Sequence, residues 1–302
     1  MKELDIITKL IRIASFGKQE DIPAGTNWQK VFIKAQANGV TAVCFEAIKT
    51  LPSSNKPDQS LFLKWEAAAQ AICDESQKRH QAICELRSLL EEHGISMLLL
   101  KGEELSSQFP KPELWEYGDI EFVPCRDYQN CNALISSLGI EVVEQKTHSS
   151  FIYKGFLFKN YSLDSIKNSN KSHYHVFSLI KLCLFDLVDN EDGSKGIDTL
   201  TQAVHMVKAI SELTRAHNGK PQLRMLLELV LLLKSHSFIA VTWENQLEYA
   251  GLKKDAYVLL CASDILFGTE FKKSWWKTTR FRARLLVRKF QKNKAVFVNY
   301  TR

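Results

Sequence analysis

The sequence lacks the patterns that would indicate a membrane-spanning, disulfide-stabilised or zinc-binding protein. Its apolar runs, such as LLELVLLL at residues 226–233, are far too short to cross a bilayer. None of the seven cysteines belongs to a CxxC pair, and most have apolar neighbours, which is typical of reduced, buried thiols in a cytosolic protein. The first residues mix acids with bases and show no cleavage pattern of small residues, so we expect no signal peptide. Internal repeats and low-complexity segments are also absent. A cytoplasmic globular protein is the expectation.

Positive charge is unevenly distributed along the 302 residues, which carry a formal net charge of +6. Residues 269–302 contain eleven Lys or Arg residues and one acid, Glu270, so this tail carries +10. The other 268 residues therefore carry −4. The body is mildly acidic and the tail strongly basic, so the overall charge describes neither of them.

The basic tail places apolar side chains among its bases at roughly helical spacing, over residues 270–294. Three interpretations are open. The segment could lie on an anionic membrane surface, peripheral to the inner face of the membrane, with its aromatic rings at the headgroup level. Its bases could bind a nucleic-acid backbone or another polyanion. Its aromatic rings could also pack on the acidic body and leave the bases in water. The apolar residues concerned are Phe271, Trp275, Phe281, Leu285 and Val287.

Helical patterns occupy both ends of the chain. Residues 28–39 and 40–50 predict amphipathic helices. A long pattern rich in Ala, Gln, Glu and Leu runs from Leu61 to His93, with Gly94 at the expected C-cap position. After a polar segment at residues 163–171, the chain is helical again.

A small α/β sheet is predicted between these helical regions. The segments 149–154 and 156–161 alternate around Gly155, which indicates a hairpin. Its other predicted elements are strands at Ile95–Leu100, Asp119–Val123 and Ile140–Glu144, and helices at Glu103–Gln108 and Arg126–Leu138.

The residues that carry chemistry lie between Leu98 and Pro124. Side chains of a strand alternate, so Asp119 and Glu121 are expected on one face, with Ile120 turned into the core. Two carboxylates about 7 Å apart on one face can share or bridge a divalent ion. Upstream, the Lys101-Gly102 turn precedes a short helix, where backbone N–H groups and the lysine can bind phosphate. The pattern is that of a metal-assisted phosphoryl-transfer site, and the alternative at this point is that Asp119 and Glu121 are solvated residues on the outer face of an edge strand.

These motifs resemble those of a known family. The succession LLLKGxxL, PxLxxxGDIEFVP and a helix ending in SSLGI resembles the bacterial uncharacterised nucleotidyltransferases of the polymerase-beta-like superfamily. The flanking segments WQKVFIKAQANGVTAVCFEAIK, LRMLLELVLLL and VTWENQLEYAGLKKDAYVLLCASDILFG extend the resemblance over about residues 28–268. The resemblance implies an α+β fold, in which a small mixed β-sheet is flanked by N- and C-terminal helical regions. We divide the chain into segments 1–94, 95–165, 166–268 and 269–302.

The implied reaction transfers a nucleoside monophosphate from an NTP to an unknown acceptor, with Mg²⁺ or Mn²⁺ as cofactor. Asp119 matches the first catalytic, metal-binding carboxylate of the family and Glu121 the second. Lys101, Gly102 and Gly118 match the nucleotide- and phosphate-binding positions.

The sequence also departs from the family pattern. Trp115 stands where members usually carry an arginine, and Phe158 stands in the position of a third carboxylate. Glu103 and Glu104 would repel a triphosphate from the first turn of the predicted helix. Two alternatives therefore remain: a degenerate member that binds a nucleotide or a partner without catalysis, and a peripheral scaffold that acts through its basic tail. His148, at the start of the predicted hairpin, is interpreted as a surface residue rather than one that faces the cleft.

Overall fold

The computed structural model describes residues 2–100, 111–116, 118–124, 128–163, 178–180, 199–216, 221–235, 240–271 and 276–292. Lys101, Gly102 and the predicted helix at Glu103–Gln108 lie outside these residues.

Four helices open the chain: α1 (Lys2–Phe16), α2 (Trp28–Ala37), α3 (Thr41–Thr50) and α4 (Gln59–Glu92). The side chain of Asp58 accepts a hydrogen bond from the Leu61 N–H at the start of α4. Gly94 follows the other end of α4 with φ +71°, which is a conformation that favours glycine. The buried Trp65 indole donates to the Thr41 carbonyl oxygen at 2.9 Å and ties α4 to α3. The helix predicted at 61–93 is confirmed.

The sheet contains β1 (Met97–Leu99), β2 (Ile120–Pro124), β3 (Val143–Glu144), β4 (His148–Tyr153) and β5 (Phe156–Tyr161), in the order β1-β2-β5-β4-β3. The β2–β5 pair is parallel and the other pairs are antiparallel, so the sheet is mixed. Lys154 and Gly155 join β4 to β5 with φ values of 50° and 83°. Two successive left-handed residues match the twist of a tight hairpin, which confirms the predicted turn. Helix α5 (Tyr128–Ser137) follows β2.

The two faces of the sheet contact different hydrophobic clusters. One face contributes Ile120, Phe122 and Phe158 to a smaller core with the C-terminal part of α4 and with α5. The other face contributes Leu98 and Val123 to the main core, which also contains the N-terminal and C-terminal helices. The candidate site lies on this second face. The main core draws residues from all four proposed segments, and the division into segments stays a prediction.

The C-terminal region contains α6 (Thr199–Ala216), α7 (Leu223–Ser235), α8 (Ala240–Tyr249), α9 (Lys253–Phe267) and α10 (Trp276–Lys292). Helix α10 is the central part of the basic tail, and it packs against α9 through the buried residues Ala283, Leu286 and Phe290. Helices at both ends of a mixed sheet confirm the predicted α+β class. Within the described ranges, no helix has the length and apolar composition needed to cross a membrane.

The cysteines with described environments are free thiols. Cys44, Cys131 and Cys261 are buried, as their apolar neighbours predict, whereas Cys84 is exposed on α4. Burial raises the pKa of the Cys44 thiol, with a further contribution from Glu116. These are the properties of structural thiols rather than of reactive ones.

Candidate active site

Strand β2 and the residue before it present two carboxylates on the face opposite the smaller core. Ile120 and Phe122 are buried in that core, so the alternation of the strand turns Asp119 and Glu121 the other way. The Glu121 side chain is 11% exposed, whereas that of Asp119, at the strand entrance, is 42% exposed. The backbone of Glu121 also accepts a hydrogen bond from the Leu100 N–H at 2.7 Å, which holds this position against the end of β1.

Arg79 of α4 fixes the backbone just before these carboxylates. Its guanidinium group donates a hydrogen bond to the Gly118 carbonyl oxygen and stacks over the Phe156 ring at 5.0 Å. Arg79 is itself buried, and Glu75 lies 3.7 Å from it. One side chain of the long helix therefore connects the entrance of β2 with the β4–β5 hairpin.

Lys159 of β5 faces both carboxylates. It pairs in register with Glu121 on the neighbouring parallel strand, and directly paired residues point to the same face. Its ammonium group forms an ion pair with Asp119. The hydrogen bond to Asp119 outweighs the effect of partial burial, so the pKa of Lys159 is raised and the side chain is charged at neutral pH.

A second lysine reaches the site from α6. The Lys208 ammonium nitrogen lies 2.5 Å from Glu121 Oε2 and 2.9 Å from Glu212 Oε1. These three side chains are only 11–16% exposed. Burial alone would lower the pKa of Lys208, but the charges of Glu212 and Glu121 outweigh it and raise the pKa. We call Glu121, Lys208 and Glu212 the buried triad.

His205 lies one turn before Lys208 on α6 and is 2% exposed. Burial, together with the nearby Lys208 charge, lowers the pKa of His205 to about 4, so its imidazole is neutral at pH 7. At spacings of three and four residues, His205, Lys208 and Glu212 share one side of the helix.

His148 also belongs to this face, contrary to its interpretation as a surface residue. Its ring stacks on Tyr161 of β5 with centroids 5.0 Å apart, and its Nδ1 lies 3.1 Å from the Thr147 hydroxyl oxygen. Partial burial and the Lys159 charge lower the pKa of His148. Burial, with the charge of Glu121, raises the pKa of Tyr161. Both rings are therefore neutral at pH 7 beside the carboxylates.

Phe158, at the third-carboxylate position of the family pattern, does not face the two carboxylates of this site. It is fully buried in the smaller core, where its ring stacks on Phe151 with centroids 5.5 Å apart. Phe158 therefore faces away from Glu121, and the β5 residue that faces Glu121 is Lys159. The additional carboxylate near Glu121 comes instead from Glu212, through the shared lysine.

Trp115, at the usual arginine position of the family, is 4% exposed and packs in the main core. The next residue, Glu116, accepts a hydrogen bond from the Thr41 N–H at 2.7 Å and so caps the first turn of α3. Burial raises the pKa of Glu116 in spite of this hydrogen bond. In this chain, these two positions connect the segment before β2 to the N-terminal helices.

Asp119 and Glu121 supply hard oxygen donors of the kind that Mg²⁺ prefers. In the part of the chain that the structure describes, no three His, Cys, Asp or Glu side chains form a group that could hold a metal ion. The two carboxylates suit a magnesium ion that keeps several waters and is also held by substrate phosphates. Such an ion would have to replace the ammonium groups that now contact them.

A mixed sheet with adjacent carboxylates on a helix-covered face is an architecture that fits a nucleotidyltransferase. Residues 24–268 match the model of the family described as "Uncharacterised nucleotidyltransferase", and the chain belongs to this family. The resemblance inferred from the motifs is thereby confirmed. Searches of the curated proteins and of the solved structures found no match.

Proposed function

We propose that this protein is a metal-dependent nucleotidyltransferase that transfers a nucleoside monophosphate from an NTP to an acceptor. The observation that supports this proposal is the placement of Asp119 and Glu121 on one face of the sheet, in a chain of this family. In the reaction, a nucleophilic atom of the acceptor forms a bond to the α-phosphorus. The bond from that phosphorus to the oxygen that bridges the α- and β-phosphates breaks, pyrophosphate leaves with the electron pair of that bond, and the acceptor atom loses its proton to solvent.

Asp119 would be the primary ligand of Mg²⁺ or Mn²⁺, and Glu121 the second. The ion, when bound, would offset the negative charge of the triphosphate and activate the acceptor. Lys101, Gly102 and Gly118 would bind the phosphate groups, with backbone N–H groups as donors. The family motif supports these roles, and the positions of the two carboxylates on one face support those of Asp119 and Glu121.

Lys159 and Lys208 would take part in binding the triphosphate. Their ammonium groups come from two different elements and meet at the two carboxylates. When a metal ion replaces an ammonium group at a carboxylate, phosphate oxygens of the NTP can accept the hydrogen bonds that the lysine donated before. Lysine is well suited to this exchange because its ammonium group sits on a flexible four-carbon chain.

The second candidate function is nucleotide or partner binding without catalysis. It is favoured by Lys159, a cation at the β5 position that faces Glu121. A site for two divalent ions needs several carboxylates to balance their charge, and here both predicted ligands already have ammonium partners. Such a site could bind a nucleotide and still fail to assemble a reactive geometry.

Calorimetry with each of the four NTPs, in the presence of Mg²⁺ or Mn²⁺, tests the shared first step. We expect the wild-type protein to bind at least one nucleotide and Asp119→Asn to lose that binding. Asp119 is partly exposed, so this variant should fold. Glu144→Gln, at an exposed carboxylate of the same sheet, is the matched control and should bind like the wild type.

Turnover separates the two candidates. The assay uses an NTP labelled at the α-phosphate and a cell-extract fraction as the source of acceptor. The enzyme function is supported if the label is transferred, pyrophosphate is released, and Asp119→Asn loses both activities. Nucleotide binding without pyrophosphate release supports the non-catalytic alternative. If the wild type binds no NTP with either metal ion, both nucleotide functions are refuted.

A further inference from the structure

Helix α10 has an outward face that combines apolar and basic side chains. Phe281 is 73% exposed and Leu285 is 39% exposed, on the side opposite the buried residues Ala283, Leu286 and Phe290. A phenylalanine ring that stays exposed to water contributes little hydrophobic free energy to folding, so packing within the chain does not explain its place at the centre of a helix face. We define the outer face of α10 by Phe281, Arg284, Leu285, Arg288 and Lys292, which are all exposed.

The spacing of these residues makes the outer face continuous. Arg284, Leu285 and Arg288 stand three, four and seven residues after Phe281, so the four side chains form one stripe along the helix. The α10 sequence WKTTRFRARLLVRKFQK contains seven Lys or Arg residues and no acid. One flanking base, Arg282, contacts Asp255 of α9 at 3.2 Å. Lys34 of α2 donates a hydrogen bond to the Gln291 carbonyl oxygen and adds a cation at the end of the helix.

We propose that the outer face of α10 binds the surface of an anionic phospholipid bilayer. Phe281 and Leu285 enter the headgroup region, and Arg284, Arg288 and Lys292 contact the lipid phosphates. The helix lies in the plane of the membrane while its inner face stays packed on α9, so binding requires no unfolding. This surface is independent of the carboxylate site and of the nucleotidyltransferase proposal.

The exposed apolar pair favours a bilayer over a nucleic acid. Lys and Arg residues alone neutralise the phosphates of a polyanion backbone. The affinity of a protein for such a backbone does not require apolar side chains between the Lys and Arg residues. Binding to an anionic membrane surface gains from both apolar and basic side chains. Aromatic rings are favoured at the headgroup level, and each Lys or Arg near the anionic surface strengthens binding. The arrangement of Phe281 between basic residues thus fits the bilayer better.

Vesicle co-sedimentation of the full-length chain tests the proposal. We expect binding to phosphatidylcholine vesicles that contain phosphatidylserine and little binding to phosphatidylcholine alone. The double variant Arg284→Gln/Arg288→Gln should weaken binding by about fivefold for each charge removed. Phe281→Ala should weaken it by roughly tenfold, since part of the ring leaves water on binding. Substitutions are preferable to truncation, because loss of α10 would uncover its contact with α9.

Matched controls test whether vesicle binding depends on the outer face of α10 or on exposed basic and apolar side chains anywhere on the protein. Lys78→Gln/Lys146→Gln removes two exposed bases elsewhere, and Ile152→Ala removes an apolar side chain that is 65% exposed on β4. Both controls should bind anionic vesicles like the wild type. Because Phe281 is exposed, Phe281→Ala should also keep the thermal unfolding midpoint of the wild type.

Three results would overturn the proposal. The first is equal binding of wild type and Phe281→Ala to anionic vesicles. The second is binding that does not depend on phosphatidylserine. The third is binding to a DNA or RNA oligonucleotide that is tighter than binding to vesicles, falls with added salt and is unaffected by Phe281→Ala. This last result would identify the outer face as a polyanion site.

Discussion

The buried triad makes Lys208→Met the most informative substitution in this protein. Methionine keeps much of the aliphatic volume but removes the ammonium group that Glu121 and Glu212 share. The two glutamate side chains are 11% and 16% exposed, so water screens their repulsion poorly. Removal of one partner of a buried ion pair costs about 3–5 kcal/mol. Because some exposure remains, we expect the free energy of unfolding at pH 7 to fall by about 3 kcal/mol.

Divalent ions should restore much of this lost stability. Without Lys208, the carboxylates of Glu121 and Glu212 have lost a cation that Mg²⁺ or Mn²⁺ can replace. An ion at 100 times its dissociation constant stabilises the folded state by about 2.7 kcal/mol if it binds that state alone. The wild type should gain less, because the ion must first displace the ammonium group.

Urea unfolding, with excess Mg²⁺ and with a chelator, measures both effects. Lys78→Met, at an exposed lysine of α4, is the matched control and should change stability by less than about 0.5 kcal/mol. Replacing the whole triad, with Glu121→Gln and Glu212→Gln added to Lys208→Met, should recover most of the loss, since no buried charge then remains. If Lys208→Met is as stable as the wild type, the triad does not exist as described. If Mg²⁺ stabilises both proteins equally, Lys208 does not compete with metal.

Four further predictions each concern a single position. Neutral, buried His205 has a folded pKa of about 4, whereas an unfolded histidine titrates near 6.5, so unfolding takes up a proton between these values. The free energy of unfolding should therefore fall by about 2 kcal/mol from pH 7 to pH 5, and His205→Gln should flatten this slope in urea titrations. Gly155→Ala forces a side chain into φ +83° and should lower the unfolding free energy by about 1 kcal/mol, whereas an unchanged midpoint would contradict the hairpin geometry. Lys159→Asp should strengthen Mn²⁺ binding in calorimetry, because it places a carboxylate opposite Glu121. Phe158→Asp should instead unfold the protein in circular dichroism, because it puts a charge in the core.

The elements predicted most accurately are those with strong local signals. Helix α4 has a side-chain cap at one end and a left-handed glycine at the other, and the β4–β5 turn combines Lys154 with Gly155. The sequence predicts a strand over Ile140–Glu144, but only Val143 and Glu144 form β3 and pair with β4. Ile140 and Val142 pack against the smaller core instead. Apolar alternation alone does not show whether a segment pairs as a strand or only packs its apolar side chains on the core.

The candidate site was predictable only where it depends on one strand. Alternation along β2 is local, so the shared face of Asp119 and Glu121 follows from the sequence. The choice between Phe158 and Lys159 depends on the register of β5 against β2, which alternation within β5 does not fix. Lys208 is 87 residues away from Glu121 in the chain, and no local pattern connects them. The available signal was a charged pair, Lys208 and Glu212, at helical spacing within a mostly apolar segment of α6.

The charges at the site indicate how metal and nucleotide would enter together. Asp119, Glu121 and Glu212 bring three negative charges, and Lys159 and Lys208 bring two positive ones, so the described side chains nearly balance. A metal ion that enters alone displaces an ammonium group from Asp119 or Glu121, and that ammonium group loses an anionic contact. A metal ion that enters with a triphosphate replaces the lost contact, because phosphate oxygens can accept hydrogen bonds from the displaced lysine. Each ligand should therefore strengthen binding of the other, by the 1–3 kcal/mol typical of coupled sites. Lys208→Met removes an ammonium group that competes with the metal ion, so this variant should bind Mg²⁺ without nucleotide more tightly than the wild type does.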